Sequence, residues 1–259
     1  MLEEKLVEIS KLLYFETDKR LMPYGAFHLV WLFLMVLGIA LVVYLTIKKP
    51  EKTLYFLYIL STIIMWVGEG YKQFEYSFSS GHFYYQWYYF PFQFCSTPLY
   101  TFLLCAICKK GKVYDAVSVY NATYSLFAGT MVMLAPSSVL YYSYGIAVQS
   151  LLHHVLMVIT GVSALVVYSK KMNIKLFLQS MIVFIALLCI AEILNFGLPI
   201  WSGQEINMYF ISKSYSGSNP LGIFQQAYPY PVFIAMYFSV FSEVACGIAY
   251  FAHKVACRK

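Results

Sequence analysis

The chain has 259 residues, of which 61% are hydrophobic and only 12% charged, with a net charge of +6 at pH 7 and a mean hydropathy of +0.66. A soluble domain carries about twice that share of charge, roughly 25%, so the composition excludes one. The Lys and Arg residues stand in short clusters between apolar runs instead of forming one stripe, which speaks against a nucleic-acid partner and marks them as topology determinants.

Residues 2–16 place Leu2, Leu6, Val7, Ile9 and Leu13 near one helical face, while Glu3, Glu4, Lys5, Glu8 and Lys11 tend to the other. That pattern suits an interfacial amphipathic segment over 1–24, with a solvated leader as the other reading. A removable signal peptide is not expected, because no short apolar core precedes a small-residue cleavage site. Seven continuous apolar runs follow, at 25–48, 53–73, 88–108, 113–135, 143–168, 174–199 and 228–252. Runs of about 20 apolar residues read as spanning helices, because lipid offers backbone N–H and C=O groups no partner. The expected fold is therefore an all-α polytopic bundle of about seven spans, a single membrane unit over 1–259 with an outer loop at 200–227.

Orientation follows from the connections. Lys48, Lys49 and Lys52, then Lys109, Lys110 and Lys112, then Lys170, Lys171 and Lys175, then Lys254, Arg258 and Lys259 hold twelve of the 18 basic residues. The alternate connections hold Lys213, with Lys72 at an edge, so the positive-inside rule predicts an outer N-terminus and a cytoplasmic C-terminus. The four basic residues of the N-terminal segment point the other way and are outweighed. Tyrosines and tryptophans at 84–89, 141–144, 201, 228 and 230 mark the outer boundary as an aromatic belt. Gly217, Asn219 and Pro220 give the outer loop turn chemistry, and it is expected to lie over the outer mouth.

Ionisable groups inside a bilayer are expensive and face a cavity or a partner. His28, Glu69 with Lys72, Gln93, Cys95, His153, His154, Glu192 and Asn195 all fall in the outer halves of their runs. At 1.5 Å per residue, Cys95 and Glu192 lie roughly 10 Å deep and the histidine pair roughly 15 Å. Several helices thus bring polar groups to one layer, as a buried site opening outward requires. Bland readings stand beside each. The histidines project about 100° apart, so one faces a site and the other hydrogen-bonds within the bundle, or both are structural. Cys95 is a nucleophile or a small core filler. Glu192 and Asn195, at i and i+3, orient a histidine or bind a head group. Glu69 and Lys72 share that spacing and can neutralise each other. Asp115 is expected to pair with Lys112, and Glu243 to be structural.

Three motifs are set aside. Asn121-Ala122-Thr123 fits a glycosylation pattern but lies within a span. Cys105 and Cys108 form a CxxC that no second pair completes, so no metal site and no cofactor is expected. The six cysteines suggest no disulfide framework, and Cys257 is an isolated acylation candidate.

Pro91-Phe92-Gln93-Phe94-Cys95, His153-His154 and Asn207-Met208-Tyr209, with the loop ending in Asn219-Pro220-Leu221, resemble the bacterial YwaF-like integral membrane proteins. These are similar to the animal transmembrane protein 164 family. The resemblance implies a multi-pass protein of the bacterial plasma membrane and a lipid acyl-transfer role, since the animal relatives are regarded as acyltransferases using an intramembrane cysteine and histidine. His154 matches the family histidine. The animal motif looks like Pro-Cys-His-Leu and the bacterial one like Pro-Phe-His-Leu-Cys, which puts Cys95 three residues beyond the animal cysteine and Gln93 in place of a histidine. On this reading Cys95 is the nucleophile, His154 its base, and His153 or Glu192 the orienting group, while Gln93 serves the oxyanion. Gln93, His28, Glu69, Glu192, Asn195, Asn207 and Tyr209 are the candidates for substrate binding, and membrane lipids, with phospholipid acyl chains as substrate, are the expected partners. The competing class is a carrier or receptor that binds a lipid or small solute without chemistry, although the chain has no internal repeat of the kind carriers show. A structural partner in a membrane complex is a third.

Overall fold

The computed structural model describes residues 2–214 and 222–258, and the Gly217 and Asn219-Pro220-Leu221 readings lie outside them. The described residues form α1 (Leu2–Tyr14), α2 (Ala26–Lys48), α3 (Pro50–Phe78), α4 (Pro98–Cys108), α5 (Lys112–Tyr120), α6 (Leu126–Leu134), α7 (Tyr144–Tyr168), α8 (Ile174–Ser202), α9 (Gly222–Ala227) and α10 (Tyr230–Ala256). The fold is all-α. Five of these helices, α2, α3, α7, α8 and α10, are long and apolar enough to cross a membrane.

Two of the expected runs are built differently. Residues 113–135 form a helix interrupted by a π-helical turn at Asn121–Ser125, which separates α5 from α6. Residues 88–97 are not helical: short 3-10 turns at Trp87–Tyr89 and Phe94–Ser96 precede an α4 of only 11 residues. Pro91 lacks an N–H and holds Phe90 before it extended, at φ −52 and ψ 133, while Pro98 stands in the first turn of α4, where its missing N–H costs no helical bond. Non-helical backbone is tolerated within a membrane protein where protein covers it, and Phe92, Phe94, Ser96 and Thr97 are all buried. The consequence is that no helix joins Phe92, at the position of the animal cysteine, to Cys95, so the spacing of three residues does not put the two on one helical face.

Helix α7 is the axis of the bundle. Of its most apolar stretch 61% is buried, against 17% for α2, and it packs against α2, α3, α6 and the π turn. Hydroxyl pairs join it to its neighbours, Thr46 with Ser163 at 2.8 Å and Ser61 with Thr160 at 2.9 Å, each satisfying groups that lipid would leave bare. Glycines permit the close approach. A Cβ on Gly161 would sit 2.8 Å from the Leu126 Cβ and 3.0 Å from the Asn121 carbonyl, and one on Gly129 would sit 2.9 Å from the Met157 Cβ. Asn121 itself is fully buried, accepting from Thr101 at 2.7 Å and donating toward the Cys105 sulfur at 3.8 Å, a place no glycan fits.

Helix α1 docks on α3 and α7 at one end of the bundle. Ser10 donates to Glu75 at 3.1 Å, Tyr71 donates to the Leu13 carbonyl at 2.8 Å, and Glu16 bridges Ser143 through the backbone. Ser143 also caps α7 by accepting the Ile146 N–H, as Asn173 caps α8 through Leu176. At the opposite end, Lys171 pairs with Glu51 at 3.6 Å and the Lys109 ammonium lies 5.6 Å from the Tyr55 ring centroid. Asp115 accepts from Tyr168 at 2.7 Å instead of pairing with Lys112.

Candidate functional site

The proline-broken segment carries Cys95 to the side of α7. There the His153 Nε2 donates to the Cys95 carbonyl at 2.9 Å. A carbonyl only accepts, so in the neutral ring the proton is on Nε2 and Nδ1 holds a lone pair. His154 is the mirror case: its Nδ1 donates to the Ser150 carbonyl at 2.6 Å, leaving Nε2 as the bare nitrogen, buried and without a hydrogen-bond partner. The two rings lie 5.4 Å apart between centroids. Cys95 is half-buried and free. Among the described residues its thiol makes no hydrogen bond to either imidazole; catalytic contacts of this kind often close only around substrate.

Charge reaches this cluster from α3. Lys72 pairs with Glu69 at 2.9 Å, and Glu69 also accepts from Gln73 at 2.6 Å. Gly68 and Tyr71, the α3 neighbours of Glu69 and Lys72, line the same groove as His153. Lys72, which the sequence puts with Glu69 in the same polar layer, therefore belongs to the surroundings of the site. Gln149, one helical turn before His153 and buried on the same side of α7, was missed altogether; the i, i+4 spacing was the available signal.

The other expected site residues form separate constructions. Gln93 donates to the Asn207 carbonyl at 2.9 Å while its Oε1 and the Asn207 Nδ2 are buried without partners. The Asn207 Oδ1 accepts the Ser212 N–H at 2.9 Å. Asn195 clasps Met208 from both sides, donating to its carbonyl at 3.0 Å and accepting its N–H at 2.6 Å. Between them Tyr209 adopts φ +57 and is fully buried against Phe94, at 5.4 Å between ring centroids. Burial holds its phenol well above the ordinary pKa, so it stays protonated. This second group closes the loop between α8 and α9 onto the Cys95 segment.

Glu192 does not orient a histidine. Both its carboxylate oxygens lie 2.7 Å from the Tyr230 hydroxyl, which is also 2.9 Å from the Ile211 carbonyl, and so it ties α8 to α10. The backbone carbonyls of Ser150 and Cys95 set the two imidazoles instead. His28 is engaged elsewhere. Its Nδ1 accepts the Tyr24 N–H at 3.1 Å and its Nε2 donates to the Met133 carbonyl at 3.0 Å, so both nitrogens are used.

Cys95, His153, His154, Lys72 and Glu69 thus remain together, drawn from three elements, with a thiol, two unprotonated imidazole nitrogens and one ion pair. Such a set can hold and move a proton beside a nucleophile. No curated protein and no solved structure matches the sequence. The profile of the TMEM164 family matches residues 23–250, a stretch containing every one of these groups, and the chain belongs to the TMEM164 family.

Proposed function

We propose that this membrane protein is a lipid acyltransferase or lipid-ester hydrolase whose nucleophile is Cys95 and whose base is His154. The observation that carries the reading is the bare, buried Nε2 of His154, an unsatisfied acceptor on the helix that also anchors the Cys95 turn through His153. A buried polar atom without a partner is uncommon and calls for a use. The thiol proton passes to the His154 Nε2 and the thiolate attacks the ester carbonyl. The C–O bond breaks as the leaving alkoxide takes that proton back, which leaves a thioester on Cys95. A second lipid hydroxyl then accepts the chain, or water does. Lys72 supports the thiolate, which burial alone would disfavour.

The same proposal includes seven spans, with the short α4 and the composite α5–α6 completing the five long helices. It places the N-terminus outside, α1 in the interface, and the protein in a bacterial plasma membrane as a YwaF-like member, with membrane lipids as its partners.

The test is incubation of purified protein with a phospholipid panel, read by intact mass and lipid analysis. Wild type is expected to gain one acyl mass, and Cys95→Ala and His154→Ala to gain none. Absence of any adduct or product in wild type would move the reading to a lipid- or solute-binding protein without chemistry.

A further inference from the structure

A groove of about 390 Å³ runs between α3 and α7, within the ~300–1,000 Å³ typical of ligand sites. Its lining is mostly apolar, with Ile63, Ile64 and Val67 on α3 and Leu152 and Leu156 on α7, and it is interrupted by the Gln149 amide and His153 imidazole on α7 and the Tyr71 hydroxyl on α3. Gln149 and His153 are one helical turn apart, about 6 Å along the axis. The Gln149 side-chain nitrogen and the His153 Nδ1 have no hydrogen-bond partner among the described residues. Gly68 makes this possible, since even a Cβ there would lie 3.3 Å from the Gln149 side chain.

The groove is closed at one end and open at its side. At the Tyr71 end the last turn of α1 forms a roof: Tyr71 donates to the Leu13 carbonyl, and a Cβ on Gly145 would lie 2.8 Å from that same oxygen. The rim is open instead where Ile63, Val67 and Val148 are exposed, 58%, 71% and 38%, on two helices able to cross a membrane. A water-borne solute would come from the roofed end. What adjoins the open side is lipid.

We infer that this groove is a lateral inlet for a single-chain membrane lipid with a free hydroxyl, its chain on the Ile63–Val67 wall and its hydroxyl hydrogen-bonded to Gln149 and then to the His153 Nδ1. Complementarity identifies the occupant: an amphiphile matches an apolar groove interrupted by a few donors and acceptors, whereas a plain hydrocarbon chain leaves Gln149 and His153 bare. The inference rests on the acyl-transfer reading for its purpose, as the His153 ring spans from the groove to the Cys95 carbonyl, but not for its test.

The experiment uses full-length protein in phosphatidylcholine nanodiscs and a monoacylglycerol with a photoreactive diazirine in its chain, beside the same probe with both hydroxyls methylated. Adducts are mapped by peptide mass spectrometry. The expected result is labelling concentrated at residues 63–68 and 148–156, competed by unlabelled monoacylglycerol, and at least fivefold stronger for the hydroxyl probe. Gly68→Leu should lower it fivefold or more, Gln149→Leu should erase the hydroxyl preference, and Cys95→Ala should change neither. Labelling spread over the exposed faces of α2 and α8, labelling that competitor does not reduce, or equal labelling by the two probes in wild type overturns the inference. The last two criteria need no variant to fold. Labelling as expected with no acyl adduct on Cys95 would leave the inlet standing and remove the enzyme.

Discussion

At the scale of single residues, the helices that carry most of the polar side chains were readable from the chain, and their partners were not. Apolar runs locate Glu192, Asn195, His153 and His154 within helices, and helix geometry puts Glu192 and Asn195 on one face. That face then meets Tyr230 and Met208, on elements whose positions follow from the whole packing, so neither residue turns to a histidine. Cys95 was harder still, because the stretch between Pro91 and the start of α4 at Pro98 is irregular backbone, which cancels arguments from helical phase. Asn195 illustrates what such partners are worth. Its removal in Asn195→Ala leaves the buried Met208 N–H unpaired, at a cost of about 1–3 kcal/mol, while the Met208 carbonyl keeps the Ile211 N–H at 3.3 Å. Thermal unfolding in detergent should show a loss of several degrees, and an unchanged midpoint would mean the clasp contributes nothing. Tyr209, strained at φ +57 and held by that clasp, should become accessible to tyrosine-modifying reagents in the same variant.

At the scale of elements, the helices with clean apolar runs were read to within a few residues, as in 174–199 against Ile174–Ser202 and 25–48 against Ala26–Lys48. Helix α3 outruns its apolar stretch by a turn or more because its polar end is covered. Glu75 meets Ser10, Gln73 meets the Tyr89 carbonyl, and Tyr76 stacks on Tyr89 at 3.8 Å between centroids. Hydropathy registers solvent or lipid preference and cannot anticipate cover supplied by another segment. Nor can it distinguish glycines that permit packing from those that merely occur, which the structure does. Gly161→Ala forces a methyl to within 2.8 Å of the Leu126 Cβ, against backbone that cannot rotate away, whereas a methyl at Gly70 or Gly197 meets nothing within 4 Å. Overpacking of this kind costs about 1–3 kcal/mol, while glycine to alanine in a free helical position gains about 0.5–1 kcal/mol. Gly161→Ala should therefore lower the unfolding midpoint and Gly70→Ala should hold or raise it. Equal effects would show that α7 does not depend on close contact with the π turn.

At the scale of the whole molecule, the basic clusters and the bundle agree on which ends belong together. Lys171 reaches Glu51 at the start of α3, and Lys109 lies by Tyr55 one turn further on, so the α2–α3, α4–α5 and α7–α8 turns share one end. The Cys95 and histidine cluster lies toward the other, beneath α1. This arrangement bears on the seven-span proposal at its weakest member. Helix α4, with 11 residues, measures about 16 Å, roughly half of a ~30 Å hydrocarbon core. In the seven-span reading the irregular segment 87–97, half-buried at 87–90 and mostly buried from Pro91 on, covers the remaining depth. If α4 and α5–α6 instead turned back within the bilayer, the connection at Lys110 would be out of reach of water. Impermeant maleimide labelling separates the two, since Cys257 and the positions of Ser80 and Lys110 are all exposed. With Ser80→Cys and Lys110→Cys examined singly in spheroplasts and inverted vesicles, and sites assigned by peptide mass, Ser80→Cys should label from outside. Lys110→Cys and Cys257 should label only in inverted vesicles. A Lys110→Cys that labels from neither side would reduce the bundle to five crossings and one re-entrant hairpin, and reversed sidedness would place the thiol and its histidines in the cytoplasmic leaflet, changing which lipids they can meet.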